Sequence, residues 1–173
     1  KVNGPEDYEE AIKSIFKYDT AALFESYIQG RELECAVIGN QPPIASVAGE
    51  IIISDAYDFY TYEAKYEDEN AVEIKIPAQI DDAALMEIKK WSVAAYEALN
   101  CEDFARVDLF LDPQGQIFIN EINTIPGFTD SSMFPSLWEA SGISYTDLIT
   151  RLIEMALERH KISAQLSRNY REA

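Results

Sequence analysis

Hydrophobic positions along the chain recur with two periods, one typical of helices and one typical of strands. Helices are predicted over residues 6–18, 134–141 and 145–159. A further helix is predicted to begin at residue 81 or 82 and to end at residue 99; it is the second along the chain. Asp81 or Asp82 would cap the second helix, because its carboxylate can accept a free N–H of the first turn. This helix carries one apolar stripe that is expected to face the core: Leu85, Ile88, Ser92, Ala95 and Leu99.

Shorter apolar segments are typical of β-strands. Strands are predicted over residues 21–28, 32–38, 44–53 and 72–76, and a β-hairpin over residues 104–123. Residues 54–70 are rich in tyrosine and acidic residues and follow neither period, which predicts a loop of 17 residues. Loops of that length inside a domain are usually functional or disordered.

The composition is that of a folded protein with a strongly acidic surface. Of 173 residues, 47% are hydrophobic and 12% are aromatic, which suits one globular domain. Lys and Arg number 14 against 31 Asp and Glu, and the net charge of −17 argues against nucleic acid and anionic membranes as partners. No apolar run reaches the roughly 18–20 residues of a membrane span, so the cytosol is the default compartment.

Two cysteines, Cys35 and Cys101, make no disulfide framework and are expected to be small buried side chains. The chain opens at Lys1 without an initiator methionine, and a predicted helix follows at once. We therefore expect residues 1–173 to be part of a longer protein.

The sequence Asp112-Pro113-Gln114-Gly115 has the residues of a type I turn between two apolar strands, which predicts the hairpin. If Asp112 pairs with Gly115, Asp108 lies opposite Ile119 and Arg106 lies opposite Glu121. Because side chains alternate between the two faces of a strand, four polar residues then share one face: Arg106, Asp108, Glu121 and Asn123. A register shift of one residue would break up this group.

Two carboxylates, an amide oxygen and a guanidinium on one face favour a site for a hard divalent cation. Mg²⁺ takes one or two protein carboxylates together with water and phosphate oxygens, and Arg106 could hold an anion or a developing oxyanion beside it. The alternative is a solvated polar face with an Arg–Glu cross-strand pair. Residues 124–133 then lead into a helix start, where free N–H groups suit an anionic substrate end. The alternative there is an ordinary polar connection.

The hairpin and its surroundings carry motifs that resemble those of the D-alanine–D-alanine ligases, members of the ATP-grasp superfamily. The hairpin matches are ARVD at residues 105–108 and NEINTIPGFT at residues 120–129. Further matches follow the family's order, with ESYIQGRE at residues 25–32, FYTYEAKY at residues 59–66 and SMFP at residues 132–135. The set covers nearly all of the chain and is much more specific than any one motif.

The resemblance implies an α+β fold over residues 1–173, the ATP-grasp C-terminal subdomain, with a mostly antiparallel sheet and flanking helices. The family's N-terminal α/β domain and phosphate-loop subdomain would lie outside this chain, which is expected to be inactive alone. The full-length enzyme would ligate two D-alanines with ATP through an acylphosphate, for peptidoglycan synthesis in the cytoplasm. Two Mg²⁺ ions, replaceable by Mn²⁺, would be its cofactors. Its partners would be ATP and D-alanine, and it would be a homodimer.

Two other functions are open at this point. A ligase that forms D-alanine–D-serine or D-alanine–D-lactate would share the fold, although Glu-Ala-Lys-Tyr at residues 63–66 favours the dipeptide enzyme. The other alternative is a nucleotide-binding module that has lost catalysis. All four polar residues on the shared face of the hairpin are present, which argues against a module that has lost catalysis.

The resemblance also implies roles for individual residues of the nucleotide site. Glu25, Tyr27 and Ile28 match the segment that binds adenine, and Glu32 matches the acceptor of the ribose hydroxyls. Tyr27 would alternatively be a core aromatic residue.

Three residues of the long loop have implied roles. Phe59 resembles a residue packed on the adenine, Lys65 resembles the lysine that approaches the phosphates, and Tyr66 belongs to the part of the loop that closes over the site. The alternatives are a core aromatic for Phe59 and a surface cation for Lys65. Thr61 stands where the family commonly has Asp.

The remaining roles concern the chemical step. Asp108, Glu121 and Asn123 match the family's magnesium ligands, with Glu121 shared between two ions. Arg106 and the backbone N–H of Gly127 match the groups that stabilise the tetrahedral oxyanion. The carboxylate of the second amino acid would bind to Ser132 and the N–H of Met133. Two further departures, Asn100 and Asp103, stand where glycines are usual, and the turn is expected to survive because Asn and Asp tolerate positive φ.

Overall fold

Five antiparallel strands form one sheet in the computed structural model, which describes residues 2–53, 72–129 and 131–166. The strands are β1 Arg31–Ile38, β2 Ile44–Ile53, β3 Val72–Lys75, β4 Phe104–Leu111 and β5 Ile117–Asn123. Their order is β3-β2-β1-β4-β5, and every pair of neighbours is antiparallel. The expected mostly antiparallel sheet is confirmed, and β1 lies at its centre with a partner on each side.

Four helices flank the sheet within the described ranges: α1 Pro5–Ile15, α2 Asp82–Ala98, α3 Met133–Ala140 and α4 Tyr145–Ala164. The sequence predicts all four, with ends displaced by a few residues. Asp81 caps α2, since its carboxylate accepts the Ala84 N–H at 2.7 Å. None of these helices combines the length and the apolar character needed to cross a membrane.

The two faces of β1 are buried by different helices, because alternate side chains point to opposite sides of the sheet. On one face, Leu33, Cys35 and Val37 pack in a cluster that includes Ile88 and Tyr96 of α2. On the other face, the second half of β1 packs against α3 and α4 through Phe134, Leu137, Trp138 and Leu148. The first half of β1 carries Glu32 and Glu34 on that same face, so this end of the sheet is polar.

The β4–β5 hairpin has a different register from the one predicted. The Gly115 N–H donates to the Asp112 carbonyl at 3.0 Å, as a type I turn requires. However, Gly115 has a φ of 81°, and the Asp112 N–H donates to the Gln116 carbonyl at 3.0 Å. The strands therefore close around a three-residue loop, a common hairpin connection when glycine follows a type I turn.

A second register shift occurs at an irregularity beside Asp108, which lies opposite Glu121. Arg106 correspondingly lies opposite Asn123. The predicted pairing of Asp108 with Ile119 and of Arg106 with Glu121 is therefore wrong by two positions. Because the faces of a strand alternate with a period of two, two shifts of one residue leave the four polar residues on one face.

Two other predictions are corrected. Residues 21–28 form no strand. Their apolar and aromatic residues favour one, but strand formation depends on a pairing partner and on burial, and Leu23 and Tyr27 are 79% and 59% exposed. Leu99 follows the last residue of α2 and is 65% exposed, so it does not belong to the buried stripe. Tyr96, near the end of the helix, is buried instead.

The two residues that replace glycine adopt the backbone conformation expected of them, with φ of 51° at Asn100 and 67° at Asp103. Asp103 also makes contacts that glycine could not make. Its carboxylate accepts a hydrogen bond from Arg159 Nη2 at 2.6 Å and from Asn40 Nδ2 at 3.0 Å. These contacts attach the turn before β4 to α4 and to the β1–β2 connection.

Both cysteines are free thiols. Cys35 is fully buried in the core, as expected, whereas Cys101 is partly exposed. Burial raises the pKa of both thiols above the ordinary value. Each therefore carries less thiolate near neutral pH than an ordinary cysteine.

Candidate active site

Arg106 and Asp108 form the centre of the polar end of the sheet. They are two residues apart on β4, so their side chains point to the same face. Nε and Nη2 of Arg106 donate to Oδ1 and Oδ2 of Asp108, each at 2.7 Å. This bidentate, charge-assisted geometry fixes the plane of the guanidinium.

Asn123 connects Asp108 to Glu121. Its Nδ2 donates to Asp108 Oδ2 at 3.1 Å and to Glu121 Oε1 at 3.2 Å. Arg106, Asp108, Glu121 and Asn123 are thus linked by hydrogen bonds, and we call them the Arg106 network. The alternative of a solvated face with an Arg–Glu pair does not match, because Asp108 is buried and is the bidentate partner of Arg106.

A third carboxylate, that of Glu34 on β1, also contacts Arg106. Its Oε2 lies 3.0 Å from Arg106 Nε, and Glu34 is paired directly opposite Asp108. Glu34 is not among the predicted site residues. The sequence did contain a signal for it, since Glu32 and Glu34 alternate with the buried Leu33 and therefore share a face.

The charge of Arg106 is firmly retained. Burial by itself lowers the pKa of a guanidinium, but the hydrogen bond with Asp108 and the charges of Glu34, Asp108 and Glu121 outweigh this effect and raise the Arg106 pKa. One guanidinium faces three carboxylates in this region. The excess negative charge favours a further cation.

The donor atoms of the Arg106 network suit a hard divalent cation. Asp108 and Glu121 offer carboxylate oxygens and Asn123 offers an amide oxygen, which are ligand types that Mg²⁺ prefers. No three His, Cys, Asp or Glu side chains converge as a metal site within residues 2–53, 72–129 and 131–166. A cation here would therefore also need oxygens from water or phosphate. That is the usual coordination of Mg²⁺ in proteins, so the residues fit the ion.

A cavity of about 1380 Å³ lies against the Arg106 network. Its lining includes Arg106, Asp108 and Glu121, together with Glu25, Tyr27, Ile28 and Glu32. Four of the residues predicted for nucleotide binding thus share one cavity with two of the predicted metal ligands, Asp108 and Glu121, whereas Asn123 does not line it. Tyr27 is exposed, which excludes the alternative that it is a core aromatic residue.

Aromatic packing fixes the loop between β5 and α3. The Phe128 ring packs on Phe134 with centroids 5.5 Å apart, and Tyr145 Oη donates to the Phe128 carbonyl at 2.9 Å. These contacts anchor the loop that carries two predicted site residues, Gly127 and Ser132, and leads to a third, Met133, at the start of α3. The anchoring role of Phe128 was not predicted from the sequence, because its partners belong to later helices.

Gly127 and Ser132 lie close to each other, since a Cβ added at Gly127 would come within 3.0 Å of Ser132 Oγ. Ser132 Oγ accepts the Thr129 N–H at 3.0 Å. The Met133 side chain is buried, so its backbone N–H in the first turn of α3 is the group suited to a ligand. For the residues that the structure describes, the cavity next to Arg106 is lined by none of these three.

Four residues of the long loop, Phe59, Thr61, Lys65 and Tyr66, lie outside the described residues. The roles predicted for Phe59, Lys65 and Tyr66 stay predictions.

A protein-family profile described as the D-ala D-ala ligase C-terminus matches residues 1–154 of the chain. The chain belongs to this family. D-alanine–D-alanine ligase A of Escherichia coli strain K12 is 51% identical over 160 residues, which are 92% of this chain and 43% of that ligase. The D-alanine–D-alanine ligase of Shouchella clausii strain KSM-K16 has the same identity and coverage. The chain therefore spans less than half the length of these relatives.

Solved structures of ligases have the same fold. The D-alanine–D-alanine ligase from Coxiella burnetii matches with a TM-score of 0.80 and 35% identity, over 95% of this chain and 42% of that protein. The VanG D-Ala:D-Ser ligase from Enterococcus faecalis matches with a TM-score of 0.78 and 36% identity, over 88% of this chain and 43% of that protein. The D-alanine–D-alanine ligase from Bacillus anthracis, solved in complex with ATP, matches with a TM-score of 0.76 and 25% identity, over 94% of this chain and 50% of that protein. The expected C-terminal ATP-grasp fold is thereby confirmed.

Proposed function

We propose that this chain is the C-terminal part of an ATP-dependent D-alanine–D-alanine ligase, which acts in the cytoplasm and supplies the dipeptide for peptidoglycan. The observation that carries the proposal is the Arg106 network, which adjoins a cavity shared with Glu25 and Glu32. Relatives at 51% identity bear the name of this enzyme. The phosphate loop and the binding site of the first D-alanine would correspond to the part of the relatives that this chain does not span.

ATP would bind in the cavity beside the Arg106 network. Residues 25–28 would bind the adenine through a carboxylate and backbone groups, and Glu32 would accept hydrogen bonds from the ribose. Phe59 would pack on the adenine, Lys65 would approach the phosphates, and Tyr66 would belong to the closing part of the loop. The similarity to a ligase solved with ATP supports ATP as the nucleotide.

Asp108, Glu121 and Asn123 would hold Mg²⁺, or Mn²⁺ in its place, with Glu121 shared between two ions. The bound ions would neutralise phosphate charge during the transfer. Asn123 donates its NH₂ group to both carboxylates, so its amide must turn to present the oxygen to a cation. The acidic net charge of −17 is then no obstacle to a triphosphate, because local cations balance it.

The residues of this chain would act mainly in the second half of the reaction. In the first half, a carboxylate oxygen of one D-alanine attacks the γ-phosphorus of ATP, and ADP leaves to give an acylphosphate. The amine of the second D-alanine then attacks the acyl carbon, and phosphate leaves as the carbonyl re-forms. Arg106 and the Gly127 N–H would stabilise the intervening oxyanion. The Ser132 hydroxyl and the Met133 N–H would hold the carboxylate of the second D-alanine.

A chimeric ligase tests the proposal. In it, this chain replaces the part of the E. coli ligase A that it matches. With ATP, Mg²⁺ and D-alanine, the chimeric ligase is expected to release phosphate and to form D-alanyl-D-alanine. Its Glu121→Gln form controls for contaminating host enzyme. A folded chimeric ligase that forms no dipeptide overturns the proposal.

The same assay addresses the second substrate. The similarity to the VanG D-Ala:D-Ser ligase makes D-serine the competitor to test. With D-alanine, D-serine and D-lactate supplied together, D-alanyl-D-alanine is expected to be the main product. An excess of the serine or lactate product would favour the corresponding alternative. ATP binding without turnover would favour a non-catalytic module, and light scattering on the same sample tests the proposed homodimer.

A further inference from the structure

Two buried carboxylates face each other across the centre of the sheet. Glu34 on β1 lies directly opposite Asp108 on β4, and their side chains are 5% and 9% exposed. Like charges at directly opposite positions destabilise a sheet, and buried charges need partners. The reason for this arrangement must therefore lie in the cation that the two carboxylates share.

Arg106 is that shared cation. Its Nε lies 3.0 Å from Glu34 Oε2 and 2.7 Å from Asp108 Oδ1. The residue opposite Arg106 on β1 is Ala36, whose methyl group leaves room for the guanidinium to lie between the two carboxylates. Asp108 engages the guanidinium through both of its oxygens, whereas Glu34 Oε2 approaches it from β1.

Asp108 would have to hold Arg106 and a metal ion with the same carboxylate. Both oxygens accept hydrogen bonds from Arg106, and Asn123 donates to one of them as well, which uses three of the roughly four lone-pair sites. A metal ion bound to Asp108 would weaken the attraction of that carboxylate for Arg106, and its positive charge would repel the guanidinium. Glu34 offers the guanidinium a second carboxylate on the other side.

We propose that Glu34 is a positioning residue, which holds the Arg106 guanidinium in place for oxyanion binding when Asp108 also binds a metal ion. This role rests on the proposed function, because it presupposes that Asp108 binds metal and that Arg106 binds the oxyanion. Glu34 acts through Arg106, since only 5% of its side chain is exposed where it borders the cavity. Its place on the central strand, with a paired strand on each side, makes it a rigid anchor.

A double-mutant cycle in the chimeric ligase tests this role. Glu34→Gln keeps the size of the side chain and removes its charge, so Arg106 loses a charge-assisted contact. We expect kcat to fall about 10- to 100-fold, as is typical when a residue that orients another is changed, with the KM for ATP nearly unchanged. In the Arg106→Met background, the same substitution should change kcat by no more than about twofold. Equal losses in both backgrounds would overturn the proposal.

Asp103→Asn is the matched control. Asp103 is also a buried acidic residue, 8% exposed, and it pairs with an arginine, Arg159, at 2.6 Å. It is not among the residues that line the cavity beside the Arg106 network. Its substitution should leave kcat unchanged. If Glu34→Gln does not fold, Glu34→Asp replaces it in the double-mutant cycle, because the shorter side chain withdraws the carboxylate by one methylene. The same coupling to Arg106→Met is then expected.

Magnesium titration of the chain itself gives a second readout that does not depend on turnover. The Nε–H proton resonance of Arg106 is identified by its loss in Arg106→Met. With Mg²⁺ added, this proton should stay protected from solvent exchange in the wild type, because the charge of Glu34 keeps the guanidinium in place, and should exchange faster in Glu34→Gln. The same response in both proteins, or no response in either, overturns the proposal. An inactive wild-type chimeric ligase overturns only the proposed function.

Discussion

Arg106 and Asp108 are joined by two hydrogen bonds of 2.7 Å between residues two positions apart on one strand. The cation proposed for the oxyanion is therefore bound directly to a carboxylate proposed for metal binding. A substitution of either residue should therefore disturb the position of the other, and the effects of substitutions at the two residues on activity are expected to be non-additive. Oxyanion binding and metal binding are best separated by substitutions that change only one of these two roles.

Replacing Glu121 by Gln should nearly abolish turnover of the chimeric ligase and leave the fold intact. The change removes one negative metal ligand but keeps an acceptor for the Asn123 Nδ2 hydrogen bond. Turnover measured over a range of Mg²⁺ concentrations should show a much lower maximum. Glu87→Gln, on the exposed surface of α2, is the control. Wild-type turnover and Mg²⁺ dependence in Glu121→Gln would contradict the metal role.

Replacing Arg106 by Met should lower kcat strongly, with a smaller change in the affinity for ATP. Charge develops on the carbonyl oxygen only as the amine attacks, so the loss falls on the transition state. Removing one such donor typically costs roughly 2.7–4 kcal/mol, or on the order of 100- to 1,000-fold in rate.

Arg159→Met is the control for this substitution. Arg159 also donates two hydrogen bonds to one carboxylate, that of Asp103, at 2.6 and 3.4 Å, but it lies on α4 and does not line the cavity. Its loss should lower stability and change kcat much less. If Arg106→Met instead impaired only ATP binding, Arg106 would be a phosphate clamp.

The sequence predicts the polar face of the hairpin correctly even though it predicts the register incorrectly. The turn residues are visible, but nothing local shows that Gly115 extends the loop by one residue or that the ladder shifts again beside Asp108. The two shifts add to an even number, so the side chains keep their faces. A single shift would have separated Arg106 and Asp108 from Glu121 and Asn123.

Features that depend on distant contacts could not be predicted in the same way. The apolar residues at positions 21–28 favour a strand, yet no strand among the described residues pairs with this segment. The position of Glu34 opposite Asp108 depends on β1 pairing with β4, which brings together residues far apart in the chain. By contrast, the positive φ of Asn100 and Asp103 is a local property, and it was predicted correctly.

Replacing Asp103 by Ala should lower the free energy of unfolding of the chain by about 1–3 kcal/mol. Alanine tolerates the φ of 67° less well and cannot accept the hydrogen bonds from Asn40 and Arg159. Urea unfolding measures the change. Asp103→Asn keeps the tolerance for positive φ and a hydrogen-bond acceptor, so it should cost less than about 1 kcal/mol. Equal costs for both variants would show that the charge pair with Arg159 is the main contribution.

The chain alone should fold and bind ATP weakly, but it should form no dipeptide. It spans 43% of the length of the E. coli ligase A, and its cavity is lined by Arg106, Asp108 and Glu121 and by residues 25–28. Correct positioning of the reacting groups can supply roughly 7–11 kcal/mol of barrier reduction. Without the groups that would hold the first D-alanine and the triphosphate, most of that contribution is lost.

The measurement is a comparison of the purified chain with the chimeric ligase, each incubated with ATP, Mg²⁺ and D-alanine. Phosphate release and dipeptide are followed together, because ATP hydrolysis alone would not show ligation. Any ATP binding by the chain should require Mg²⁺ and should weaken in Glu121→Gln, since the triphosphate needs a cation at the Arg106 network. Dipeptide synthesis by the chain at the rate of the chimeric ligase would show that the residues it carries are sufficient. In that case the proposal that a second part of the enzyme completes the site would be wrong.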